Sequence, residues 1–349
     1  MTSLMDLSAE ELKEFVTETL NESAFRAAQI RKWLLSGADF GEMSNLPKAL
    51  RETLRENCIA NPVSIASARV SAIDGTKKYL YALPDGNLIE GVLMRYRHGD
   101  TLCLSTQVGC RMGCAFCAST IEGCARSLTP GEMLGQIVAV NRRIAPQGEK
   151  IHNVVLMGSG EPFDNYENVV KFLRLATDEG GLNLSVRSIS LSTCGLVPAM
   201  RRFAEEGLPV TLSVSLHAPN DEIRQKIMPV AKVYPIGDVI DACRYYIEKT
   251  GRRVIFEYAL IGGVNDSVRC ADELAQLLRG MQCHVNLIPL NAVPERNLCA
   301  PTPRAVEDFL KRLEMRHISA TRRREMGDDI EGACGQLRRS VLKREEATE

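Results

Sequence analysis

The chain lacks any stretch that would carry it through a membrane. No uncharged apolar run reaches the roughly 18 residues that a spanning helix needs, and the opening MTSLMDLSAEELKEF has neither a basic n-region nor an apolar h-region. A cytoplasmic protein with no membrane partner is therefore expected. Net charge is also missing, at −1 over 349 residues, which argues against a protein that binds nucleic acid over its whole surface. Internal repeats and low-complexity tracts are absent as well, so the chain reads as globular. What it has in plenty is apolar side chains, 45% of the total, enough to fill one large domain with a small appendage. It also has twelve cysteines. In a chain of this length without a secretory leader these are thiols, metal ligands or redox groups rather than a disulfide framework.

Three regions differ in pattern. Residues 1–60 read as a helical unit: Ser8 and Glu11 form a capping box, and FRAAQIRKWLL and LPKALRETL place apolar residues at helical spacing. Residues 61–99 carry β-favouring runs broken at Asp74-Gly75 and Asp85-Gly86, both strong hairpin signals. In the third region, 100–349, strands alternate with helices to about residue 325, and a C-terminal segment carrying Cys334 follows. TLCLST, NVVLM, RSISLST, VTLSVSL, VIFEYAL and HVNLIPL, with a weaker HISAT, are the strands; GEMLGQIVAVNRRI and PIGDVIDACRYYIEKTG are among the helices. That alternation predicts an α/β fold with a parallel sheet partly closed into a barrel of six or seven units, or else an open doubly wound sheet. Chemistry gathers at the carboxyl ends of such strands. Here those ends carry QVGCRMGC, GSGEP, STCG, SLHAPND, GGVND and PLNAVP, polar and unlike one another, as loops ringing one site would be.

Cys110, Cys114 and Cys117 lie within eight residues, CRMGCAFC. A structural zinc site takes four ligands, usually as two separated knuckles, and no second C-x-x-C follows. Cys124 is available as a fourth ligand. Three thiolates on a cubane iron-sulfur cluster instead leave one iron open to bind and reduce a substrate. Cys58, Cys194, Cys243, Cys270, Cys283 and Cys299 read as packing residues. Basic residues concentrate in KRLEMR, TRRRE and QLRRSVLKR near the end, either a solvated helix face or a phosphate-binding surface.

The C-x3-C-x2-C spacing after the first barrel strand, with Phe116 before the last cysteine, resembles the motif of the radical SAM superfamily. The resemblance implies a partial (β/α)6 radical SAM barrel and a [4Fe-4S] cluster held by Cys110, Cys114 and Cys117. It implies S-adenosyl-L-methionine (SAM) on the open iron, cleaved to a 5'-deoxyadenosyl radical. GSGEP resembles the superfamily's GGEP-type motif, so Glu161 is expected to accept from the methionine ammonium and Gly160 to permit close backbone approach. Ser192, Ser215, Leu216, His217 and Asn291, at strand ends, are the expected partners of the rest of SAM.

A narrower likeness covers nearly the whole chain. TLCLSTQVGC, LSVSLHAPNDEIRQKIMP, YPIGDVIDACRYY, VNLIPLN and GDDIEGACGQL, in that order, resemble the RlmN family of adenine-C2 methyltransferases acting on 23S rRNA and tRNA. What this implies is specific. One SAM methylates Cys334, the radical from a second SAM takes a hydrogen from that methyl group, and the protein-bound methylene radical adds to carbon 2 of adenine. Cys103 then attacks the Cys334 sulfur, leaving a transient Cys103–Cys334 disulfide, and Glu90 removes the proton. The resemblance also implies an electron donor such as flavodoxin or ferredoxin, and a monomer is expected. The helical unit at the start and the basic segments at the end, Arg322, Arg323 and Arg324 included, are expected to hold the RNA. The related Cfr type methylates carbon 8 instead. Val108, Pro162 and HAPNDE favour carbon 2. A rival of another class, a metal-stabilised RNA-binding module, predicts metal without iron or sulfide. Ser159, LNAVP and Met326 depart from the common family pattern.

Overall fold

The computed structural model describes residues 1–97, 99–290, 298–324 and 326–330, so Asn291 and Cys334 lie outside the described residues. Among the described residues no helix is long and apolar enough to cross a membrane.

The first sixty residues fold around α1 (Ala9–Glu14), α2 (Phe25–Leu35) and α3 (Lys48–Asn57). Strand β1 (Thr2–Ser3) pairs in parallel with β2 (Cys58–Ile59), which brings the ends of this unit together. The capping box of α1 forms as its sequence predicts: Ser8 Oγ accepts from Glu11 N at 3.2 Å and Glu11 Oε2 from Ser8 N at 2.7 Å. Leu12, Ile30, Leu34, Leu50 and Leu54 form a core of their own that includes Val138 of α4 (Pro130–Ile144). Polar contacts complete the docking: Asp6 Oδ1 accepts from Gly131 N at 2.6 Å, and Lys171 pairs with Glu11 at 2.8 Å.

Strands β3 (Ser64–Val70), β4 (Lys77–Ala82), β5 (Leu88–Tyr96) and β6 (Gly99–Cys103) form an antiparallel meander. Gly75 and Gly86 take φ of 73° and 83° at its two expected turns, the left-handed region where a Cβ is unwelcome. The meander continues into the main sheet, because β6 also pairs in parallel with β9 (Ile151–Leu156). Then follow β10 (Ile189–Thr193), β11 (Thr211–Ser215), β12 (Val254–Leu260), β13 (Cys283–Pro289) and β14 (Ala320–Arg322), each parallel to its neighbour. The ten strands run in the order β14-β13-β12-β11-β10-β9-β6-β5-β4-β3. All seven barrel strands expected from the sequence are there, and the sheet ends at β14 and β3 rather than closing on itself. Two short strands, β7 (Gln107–Gly109) and β8 (Cys124–Ser127), make a separate ribbon.

Helices α4, α5 (Tyr166–Thr177), α6 (Val197–Ala204), α8 (Ile236–Thr250), α9 (Val268–Leu277) and α10 (Pro303–Met315) bury Ile137, Phe172, Phe203, Tyr246, Leu274 and Phe309 against the sheet. The short α7 (Asp221–Ile227) follows β11. The opposite face of the sheet is set by register. Paired residues share a face and alternate residues return to it. Lys78 pairs with Val92, Val92 with Cys103, Cys103 with Val155 and Val155 with Ser190. Ser192 pairs with Ser213, Ser215 with Glu257 and Glu257 with Asn286. Glu90, Cys103, Ser192, Ser215 and Glu257 therefore all lie on one face.

Candidate active site

The cysteine motif sits on an excursion closed at its base by the β7–β8 ribbon. Cys110 N donates to Gly123 O at 2.8 Å. Gly109, just before the first cysteine, has φ of 80°, and a Cβ there would stand 2.1 Å from Gly123 O; only glycine permits this close approach. The far side of the loop is fixed by Ala115 N donating to Ile227 O at 2.9 Å and by Thr120 Oγ1 donating to the Cys117 carbonyl at 2.9 Å. Ser159 hydrogen-bonds Ser119 of the loop at 3.0 Å, so this departure from the common pattern has a contact of its own.

Cys110, Cys114 and Cys117 line one cavity of about 210 Å³, together with Gly160, Glu161, Ser192, Ser215 and His217. Leu216 differs from these. It is wholly buried in the main core, its amide donates to Glu257 O and its carbonyl accepts from Arg224. Cys124, in β8 opposite Gly109, does not line the cavity.

Gly160 has φ of 111°, and a Cβ would meet Thr106 Oγ1 at 2.6 Å and Gln107 Cβ at 2.7 Å. Glu161 is buried, and burial raises its carboxyl above the usual range although two amides donate to it, Cys194 N at 2.7 Å and Phe163 N at 3.1 Å. Its carboxylate thus joins the loops after β9 and β10. His217 has φ of 56°, uncommon for a residue with a Cβ. Its Nδ1 accepts from Ala259 N at 2.8 Å, which leaves Nε2 as the N–H of a neutral ring. Burial, and then the Arg224 charge, pushes the imidazole down to about 3. Phe116 of the cysteine motif packs edge-on against that ring at 4.6 Å.

The donor set fits an iron-sulfur cluster. Burial pushes Cys110 up to about 12 and Cys114 higher still, so a cation is required to hold these sulfurs as thiolates. Among the described residues, no three His, Cys, Asp or Glu side chains converge as ligands of a single ion do. The three cysteines that line one cavity are the residues that would hold a [4Fe-4S] cluster, which would supply one-electron chemistry there.

Cys103 lies beside this cavity, and Glu90 is on the neighbouring strand β5. Cys103 is buried in an apolar patch with Val92 and Met94, against which Val155, Met157 and Met326 pack; Met157 also lines the cavity. Glu90, two residues from the Val92 that pairs with Cys103, bridges Lys78 at 3.2 Å, both side chains buried. Ser105 Oγ donates to the Glu90 carbonyl at 2.8 Å and accepts from Ser159 N at 3.0 Å, tying β5 to the loop that carries Glu161.

Several residues here escape a sequence reading. Cys194, read as packing, lines the cavity, and its position just after a strand end is the signal for it. Arg224 is fully buried and donates to four carbonyls, among them Cys194 O at 2.7 Å. Glu257 and Arg323 also line the cavity. Arg323 thus faces the site, unlike the exposed Arg322 and Arg324 with which the sequence groups it.

Comparison with known proteins agrees with this geometry. The family described as "Radical SAM superfamily" matches residues 104–314, and the "Ribosomal RNA large subunit methyltransferase N-terminal domain" matches residues 2–60. A "Probable dual-specificity RNA methyltransferase RlmN" of Alkaliphilus oremlandii is 52% identical, over 97% of this chain and 98% of that one. Its counterpart in Clostridium novyi is 48% identical, over 98% of this chain and 99% of the relative. The chain belongs to the RlmN family of radical SAM methyltransferases. The crystal structure of a radical SAM methyltransferase from Sphaerobacter thermophilus is 45% identical and superposes with a TM-score of 0.93, covering 96% of this chain and 99% of that one. As a radical SAM enzyme, the protein uses a [4Fe-4S] cluster and SAM, for which the three-cysteine cavity is the candidate site.

Proposed function

We propose that this enzyme methylates carbon 2 of adenosine in RNA, in 23S rRNA and next to the anticodon of some tRNAs. The observation that carries the proposal is the placement of Glu90 and Cys103 on one sheet face, with Cys103 in a buried patch that shares Met157 with the three-cysteine cavity and Glu90 buried two residues before the Val92 of that patch. The family's full-length relatives, described as dual-specificity RNA methyltransferases, support the substrate class.

Carbon 2 of adenine lies between two ring nitrogens and is too electron-poor to attack a methyl sulfonium. The bound cluster and SAM supply one-electron chemistry that bypasses this barrier. Cys110, Cys114 and Cys117 hold the cluster. Gly160, Glu161, Ser192, Ser215 and His217 bind and orient SAM, with Asn291, outside the described residues, as a further partner. Leu216 contributes position rather than a free polar group, since its own amide and carbonyl are already bonded within the fold. Cys334 carries the methyl group to the base. Glu90 accepts the ring proton as the radical's odd electron is given up, and Cys103 then forms a sulfur–sulfur bond as the bond from Cys334 sulfur to carbon breaks, its electron pair passing to the carbon, which takes up a proton to complete the methyl group. The apolar walls from Val92, Met94 and Val155 keep water from a reactive carbon centre. A flavodoxin or ferredoxin is the proposed electron donor.

The test uses cluster-loaded protein with SAM, a reductant and protein-free ribosomal RNA under anaerobic conditions, followed by digestion to nucleosides and mass spectrometry. 2-Methyladenosine is expected. 8-Methyladenosine would instead place the enzyme with the Cfr type, and iron-free metal with no SAM cleavage would overturn the assignment.

Phosphate contacts position such an RNA and base contacts select the target. Arg324 is exposed and stands next to the cavity-lining Arg323. Arg324→Gln is expected to weaken RNA binding and to reduce the slope of log Kd against log salt by about 1. An unchanged slope would remove this residue from the RNA surface.

A further inference from the structure

The stretch leading to Cys334 is held at a defined place. Met326 packs against the patch that contains Cys103. Directly after it, Gly327 N donates to Asp74 Oδ2 at 3.0 Å. Two residues on, Asp329 accepts from Ser71 Oγ at 2.6 Å and from Ala72 N at 2.8 Å. The contacts are reciprocal: an aspartate of the β3–β4 turn takes an amide of the segment, and an aspartate of the segment takes an amide and a hydroxyl of the turn. Ser71 and Gly327 are buried, and so is Ile330, which closes the contact. Gly327 has φ of 66°, and a Cβ on it would meet Thr76 Cγ2 at 3.1 Å.

The turn is itself rigidly built. Ser71 Oγ accepts from Ile73 N and Asp74 N, both at 3.2 Å, and Asp74 Oδ1 accepts from Thr76 N at 2.9 Å. One residue beyond Thr76 the chain enters β4, whose Lys78 bridges Glu90. Turn, proton acceptor and Cys103 therefore belong to one continuous piece of sheet.

We propose that the Ser71–Thr76 turn is a clasp for the segment 327–330, and that Ser71, Asp74 and Asp329 are positioning residues that keep Cys334 within reach of Cys103. Four residues separate the anchored Ile330 from Cys334 if Cys334 is counted, and a chain of that length spans at most about 14 Å. Cys334 must meet two partners in turn, the RNA base and Cys103, so it needs a fixed anchor a few residues away. The clasp supplies the anchor, and with it a high effective concentration of one sulfur at the other. This inference rests on the reading of Cys334 as the methyl carrier.

The test is the thiol–disulfide equilibrium of Cys103 with Cys334, measured in protein produced without its cluster, so that Cys334 carries no methyl group, then loaded with the cluster in the absence of SAM and held anaerobically in a glutathione redox buffer. Each disulfide formed passes two electrons to oxidised glutathione, which leaves as two reduced molecules. The Cys103–Cys334 linked peptide is quantified by mass spectrometry in the wild type, Asp329→Ala, Asp329→Asn and Ser71→Ala. The expected result is a tenfold or greater fall in the linking equilibrium constant for Asp329→Ala. A smaller fall is expected for Asp329→Asn, whose amide oxygen still accepts, and Ser71→Ala should fall in the same direction. Iron content and melting temperature should stay near wild type, because a general loss of structure would move them too. If the wild type links and all three variants link equally well, the clasp is wrong and the methyl-carrier reading stands. If the wild type does not link, that reading fails and the clasp with it.

Discussion

Cys103→Ala enzyme, given RNA, SAM and reductant, is expected to accumulate a covalent protein–RNA species and to release almost no methylated RNA. The buried sulfur on β6 is the group proposed to break the bond from Cys334 to the base, and an alanine methyl has no electron pair for that step. Turnover should fall by on the order of 10³ or more, as when a residue that forms a covalent bond is removed from a set acting as a unit. Cys103 packs with Val92 and Met94 and does not line the three-cysteine cavity. Iron content and SAM binding should therefore be unchanged. A denaturing gel with labelled RNA reads the trapped species directly. Cys243→Ala is the control: this wholly buried thiol of α8 lies in the main core. Its loss should cost about 1 kcal/mol of stability and leave turnover alone. Free methylated RNA at the wild-type rate from Cys103→Ala would show that another group resolves the intermediate.

The parts of this site that a sequence displays are those with local signatures. A three-cysteine motif is legible because its ligands are neighbours in the chain, and GSGEP because it follows a strand at once. The seven parallel strands were legible from apolar runs separated by helical periods, and both hairpin turns from Asp-Gly pairs. Strands β3, β4 and β5 lie within the stretch 61–99. That it shares a sheet with the barrel depends on the pairing of β6 with both β5 and β9, which no local pattern encodes. Leu216 shows the converse. Its neighbours Ser215 and His217 reach the cavity, while the alternation of the strand sends the Leu216 side chain into the core on the other face. Arg224 was illegible because its partners are backbone carbonyls, which any residue type can offer, and the clasp at Ser71 because Gly327 and Asp329 lie more than 250 residues away in the sequence.

Arg224→Met gives the second large effect, on stability and cluster loading together. The guanidinium is wholly buried and burial depresses its basicity. It donates to Cys194 O at 2.7 Å, Leu216 O at 3.2 Å, Tyr234 O at 3.3 Å and Ser215 O at 3.4 Å. Three of these carbonyls, of Cys194, Ser215 and Leu216, stand at the ends of β10 and β11 where the loops that line the cavity begin, so one cation fixes two walls of the site. Methionine fills the volume and donates nothing. Each orphaned carbonyl costs about 1–3 kcal/mol, offset in part because a buried charge no longer has to be desolvated. A net loss of about 3 kcal/mol is expected, or roughly 4 °C in melting temperature for a chain of 349 residues. Arg224→Lys separates charge from shape. A lysine keeps the positive charge, but its single ammonium cannot span four carbonyls as a planar fork does. If geometry matters most, Lys should load iron as poorly as Met; if charge beside Cys114 matters most, Lys should restore the iron that Met loses. Melting temperature and iron per chain, measured on both variants, distinguish the two. Wild-type values in Arg224→Met would mean that the strand ends hold the cavity without the guanidinium.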